Sequence, residues 1–154
     1  MATPAKFALD MNLRAKEVER SVNRIVELAG REIAKEVIAL TPVDTSLAIS
    51  NWTGALGSPA SGTRAAVSPG EFGSTADASG AATQAAVWSA ILNRRTGQDL
   101  WISNNLPYVN DLNVGNIAPR SSPAPDRAPY PRFAERAVLF GAGVVAQNSR
   151  KIFK

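Results

Sequence analysis

"NLRAKEVERSVNRIVELAGREIAKEVIALTP", Asn12 to Pro42, decides the architecture of this chain. Val18, Val22, Ile25, Ala29, Ile33, Val37 and Leu40 recur at spacings of three or four, which places them on one stripe of an α-helix. Arg14, Glu17, Arg20, Arg24, Glu27, Arg31 and Lys35 fill the other faces, with Glu27 and Arg31 at the favourable four-residue spacing. Gly30 costs about 1 kcal/mol against alanine inside a helix, so the sequence predicts a bend or a close packing contact there. Thr41-Pro42 ends the helix, because the residue before a proline is pushed out of helical conformation.

On the N-terminal side, residues 1–11 read as a flexible tail without the apolar segment that a secretory signal needs, so a place in the cytoplasm of the cell that makes it is expected. On the C-terminal side, "VDTSLAISNW" (Val43–Trp52) places Asp44 as the N-cap of a short helical turn through Ala48. A cap is preferred to a lone catalytic acid, since the next carboxylate is as far off as Glu71. A short strand over Asn51–Gly57 leads into residues 57–76, a Gly, Ser and Pro rich extended loop or arm. "ASGAATQAAVWSAILNRR" (Ala78–Arg95) reads as a helix with Val87, Trp88, Ile91 and Leu92 inward, and Leu100-Trp101-Ile102 as a short buried strand.

In "SNNLPYVNDLNVG" (Ser103–Gly115), Asn104 and Asn105 suit a turn in which their amides bond nearby backbone, and Pro107 pre-sets the next turn. Asn110 and Asn113 share a face with Tyr108 or Leu112 if a helical turn follows. Five prolines and four charged residues between Gly115 and Arg132 block helix and ladder alike, so residues 115–131 form a second extended loop or arm. The last helix starts at Phe133 and turns Phe133, Ala137, Phe140 and Val144 to one side.

The 154 residues suffice for a single domain, 1–154, with its own core. Without cysteine or histidine there are no disulfides, no thiolate ligands and none of the commonest acid–base group. Thr45, Ser46 and Ser50 have no histidine to activate them, and nothing fixes Asp99 against Asp111. Gly141-Ala142-Gly143 sits late in a helix with no third glycine or lysine, which makes it a packing or bending feature rather than a phosphate loop. No catalytic, metal or cofactor site is expected, and the chain reads as a non-enzyme. Trp52, Trp88 and Trp101 belong to a core or an interface, each burying a large apolar area. The surplus behind the net charge of +4 lies in residues 94–154, whose basic groups are scattered rather than clustered, so specific DNA recognition is not expected.

Three segments together resemble one known family. "IAKEVIALTPVDTSLAISNW", "LWISNNLPYVNDLNVG" and "PYPRFAERAV" are similar, in order and spacing, to the neck and tail-completion (head-tail joining) proteins of tailed bacteriophages, including the minor tail protein Z group. The resemblance covers about Arg31 to Val138 and departs at Asn116–Pro131, which is longer than the family's usual link. It implies an α+β subunit: a long N-terminal helix, a small β-sheet, and a middle and a C-terminal helix packed on it, with extended loops or arms. It also implies a virion protein of the neck or tail, assembled as a homo-oligomeric ring, a hexamer or a dodecamer. The ring would act in tail completion or as a tail terminator, beside the portal, an adaptor or stopper and the tail tube. Genomic DNA would pass through its lumen without sequence recognition, with no membrane involved. Structural or interface candidates under this reading are Asp44, Trp52, Trp101, Asn104, Asn105, Tyr108, Leu112, Asn113 and Gly115. A DNA-binding or genome-packaging accessory protein is the alternative.

Overall fold

The computed structural model describes residues 3–117 and 131–152. The fold is α+β, dominated by helix. Helix α1 spans Pro4–Leu40, α2 Leu47–Ser50, α3 Ala76–Leu92, α4 Val109–Val114 and α5 Phe133–Ile152, with strands β1 (Thr53–Leu56) and β2 (Leu100–Ser103). Helix α1 starts well before Asn12: Thr3 accepts the Lys6 amide as N-cap and Pro4 occupies the first turn, so residues 4–11 are helical rather than a tail. It stops at Thr41, which the following proline holds extended at φ −64°, ψ 123°.

Two faces of α1 are covered, not one stripe. Helix α5 packs along one face and α3 with β2 along another, so Gly30, Ala34, Val37 and Ile38 are buried, while Val18 and Val22 stay exposed. Gly30 is a close contact, since a Cβ there would stand 2.5 Å from Leu100 Cδ2. Gly141 plays the same part on α5, where a Cβ would collide with Ile33 of α1. That contact sets the rotation of α5: Phe133, Ala137 and Gly141 face inward, whereas Phe140, expected inside, is 45% exposed and Val144 half-buried.

The strands pair antiparallel, Thr53 opposite Ser103 through Leu56 opposite Leu100, as a two-stranded sheet. Gly54 lies directly on α3, where a Cβ would stand 3.1 Å from the Val87 carbonyl oxygen. Leu100 and Ile102 turn toward the helices and Trp101 away from them, which corrects the expectation of a fully buried strand. On α3, Val87 and Ile91 are buried, but Leu92, expected inside, is exposed. The helix ends at Leu92 rather than Arg95, and Asn93 closes it by donating to the Ser89 carbonyl.

Residues 57–75 lie back on their own chain and are not a free arm. Asn51 exchanges hydrogen bonds with the Arg64 backbone in both directions, Arg64 donates to the Ser50 and Trp52 carbonyls, and the Val67 amide donates to Ser50 Oγ. Thr75 and Ser79 both donate to the Ser68 carbonyl. Of the second expected arm, residues 118–130 lie outside the described residues.

The two glycines of α5 separate packing from propensity. Gly143 has open space around its Cα, so Gly143→Ala is expected to raise stability by about 0.5–1 kcal/mol. Gly141→Val is expected to lower it by about 1–3 kcal/mol through overpacking against Ile33. Urea-unfolding midpoints of the two variants check both signs.

Candidate functional site

The nine candidate residues fall into three groups. Trp52 joins three elements at the base of the molecule. Its indole N–H donates to Thr41 Oγ1 at 2.8 Å, and the Thr41 hydroxyl donates in turn to the Val37 carbonyl at the end of α1. Its ring meets Phe133 edge-on, with centroids 6.4 Å apart at 86°, which brings the start of α5 to the same point. Thr41 and Trp52 are both buried, so this relay satisfies polar atoms that water does not reach.

The asparagines act chiefly as staples over long stretches of chain, and Asn104 adds the bond to nearby backbone that the sequence suggests. Asn104 donates to the Ala48 carbonyl at 2.8 Å, tying the end of β2 to α2, and its Oδ1 accepts the Leu106 amide. Asn105 donates to the carbonyls of Ala60 and Gly62, holding down the long loop. Asn113 caps α5 from outside that helix: its Oδ1 accepts the Ala134 amide at 2.9 Å, and its backbone carbonyl accepts the Arg132 amide. The first amides of a helix have no partner within it, so a neighbouring element supplies them here. Its Nδ2 also donates to Glu135 Oε2 at 2.9 Å. That hydrogen bond, before any charge nearby, holds the Glu135 carboxyl below its ordinary range.

Leu112 is buried in the chain's own core and Tyr108 packs against it, partial burial raising the phenol's pKa. Gly115, at φ 81°, closes α4 in the left-handed conformation that favours glycine. Asp44 is not a cap. The cap position belongs to Ser46 at φ 62°, whose hydroxyl bonds Thr75 Oγ1, while the Asp44 carbonyl accepts the Gly73 amide. Trp101 alone among the nine presents a large apolar surface outward, 43% exposed.

Sequence reasoning missed Thr41, Asn51 and Arg64. One signal existed for Arg64, the single charged residue between Asp44 and Glu71. Arg31 stands four residues from Glu27, and its guanidinium lies over the Trp88 ring, 5.5 Å from the centroid. Among the described residues, no three carboxylates, histidines or cysteines converge as metal ligands. An open cleft of about 440 Å³ between α1 and β2 is lined by Ile25, Ile33, Leu100 and Ile102, with Arg94 beside them. Arg94 is already engaged by the Gln98 carbonyl and Asn23 Oδ1, and the cleft's lining pairs no nucleophile with a base.

Protein families, curated proteins and solved structures were compared with the chain, and none of them matches.

Thr41→Val deprives the buried Trp52 indole of its acceptor and is expected to cost about 1–3 kcal/mol in denaturant unfolding. Asn113→Ala removes the cap on α5 and is expected to cost about 0.5–2 kcal/mol. The same change frees the Glu135 carboxyl, so its NMR titration midpoint moves up toward the ordinary value. Because the folded pKa is the lower one, the Glu135 contribution is present above the unfolded pKa. It is lost as pH falls through the folded one, and Asn113→Ala flattens that acid limb.

Proposed function

We propose that this chain is a structural virion protein of a tailed bacteriophage, forming a ring in the neck that joins the head connector to the tail around the DNA path. The support is the way its three resembling segments meet. Segment one, ending at Trp52, is tied to segment two by the Asn104 staple onto Ala48, and the strand that follows it, β1, pairs with β2 of segment two. Segment two is tied to segment three by Asn113, which caps α5 and holds Glu135. Residues that carry the likeness in sequence thus form one connected unit in space, as a shared scaffold requires. Their polar groups are engaged with the chain's own backbone, which suits a rigid building block better than a reaction centre.

A subunit of this kind acts through contacts with other subunits. It also exposes large apolar side chains on both long helices, a feature that marks interaction surfaces. In a phage that encodes it, removal of the chain is expected to leave filled heads and separate tails. Antibody label on complete particles is expected at the head–tail junction in electron micrographs. Joined, infectious particles made without the chain would overturn the proposal. Salt-dependent retention of duplex DNA by the purified protein, together with such particles, would favour the DNA-binding accessory instead.

A further inference from the structure

We infer that the projecting half of α1 packs on the outer face of α5 in a second copy of this chain, head to tail. Within one copy α5 runs antiparallel to α1. Phe133 meets Trp52 just past the C-terminal end of α1, and Gly141 sits against Ile33 and Ala29. At 1.5 Å per residue the rest of α5 ends level with about Val22. Beyond that point residues 3–20 are all exposed. Phe7, Met11, Val18 and Val22 continue the stripe of Ile25, Ala29 and Ile33, which meets Gly141 of α5 at Ile33 and Ala29, yet they are 63%, 52%, 56% and 45% exposed. The chemistry of the covered interface therefore runs on past its cover.

Helix α5 has the matching surplus. Ala137 to Ala146 contains no polar or charged residue, and a helix segment apolar all round is normally buried all round. Only one side of it rests on α1. On the other sides Val138, Leu139 and Phe140 are 52%, 72% and 45% exposed, next to the small exposed residues Ala142, Gly143 and Ala146.

Shape and charge favour α5 of another copy over a second α1 as the occupant. The contact inside the chain places a large α1 side chain, Ile33, over a small α5 residue, Gly141. The same rule seats Phe7 and Met11 over Ala142, Gly143 and Ala146, whereas two α1 stripes would set large against large. Between Pro4 and Arg20 four basic and three acidic residues are interspersed, so the helix brings little net charge to a face that carries none. The two patches differ, so the contact is heterologous, and copies add head to tail until a rotation closes them. Closure into a ring rests on the function proposed above; the pairing of α1 with α5 does not.

The test uses the full chain and two exposed substitutions, Met11→Glu and Leu139→Glu, with circular dichroism and thermal unfolding expected to match the parent. About 25 Å of helix makes a contact at the small end of stable interfaces, so the parent's mass by light scattering should rise with concentration. Each variant alone is expected to stay at the monomer mass of 16.3 kDa. Mixed in equal amounts, they retain one intact pairing, α1 of the Leu139 variant on α5 of the Met11 variant, and should form a dimer of twice that mass and nothing larger. A parent that is monomeric throughout, variants that assemble like the parent, or a mixture that stays monomeric overturns the pairing. None of these results touches the particle experiment, so the pairing and the neck function fail separately.

Discussion

Backbone that lies in neither helix nor sheet must still find hydrogen-bond partners once water is excluded, and this fold meets that constraint with side-chain amides and hydroxyls. Two strands of four residues satisfy little of it. The connecting stretches 41–75 and 93–117 are instead held by Asn51, Asn104, Asn105 and Asn113, and by Thr41, Ser50, Thr75 and Ser79. Amides suit the task because each offers a donor pair and an acceptor without a charge to bury. Asn51 and Asn113 use both functions at once.

The apolar side of the fold is organised by α1, whose two covered faces need two sets of neighbours. Small residues make this possible: Gly30 admits Leu100 on one face, and Gly141 admits Ile33 on the other. Gly80 on α3 does the same for Ile49 of α2, where a Cβ would stand 3.2 Å from its Cδ1. Close approach at these points fixes the rotation of each helix about its own axis, which decides which apolar side chains are left outside.

The helices were legible because periodicity is a property of a single segment. The stripe on α1, the stop at Thr41-Pro42, the alanine-rich middle helix and the last helix from Phe133 all follow from spacing and from proline. Inward and outward were harder, since they depend on what packs opposite. Phe140 and Leu92 look like core in a helical wheel and are turned out by Gly141 and by the Val87–Ile91 line. The start of α1 carries its own signals, Thr3 as N-cap, Pro4 in the first turn and Phe7 and Met11 four apart, which a reading of residues 1–11 as a tail passes over. Staples such as Asn104 to Ala48 join residues far apart in sequence, and no local rule gives their partner.

Amides and apolar stripes have exchanged the places that the sequence alone suggested for them. Asparagines beside aromatics look like surface recognition groups, yet Asn104 and Asn113 work inward and hold elements of one chain together. Val18 and Val22 look like the start of a core stripe, yet they stand in the open. Under the pairing of copies proposed above, this division has a physical logic. Directional hydrogen bonds specify one internal geometry and lose strength if strained, so they belong where the geometry is unique. Apolar contact is non-directional and tolerates small rotations, so it would suit the proposed joint between copies, whose angle is not fixed in advance.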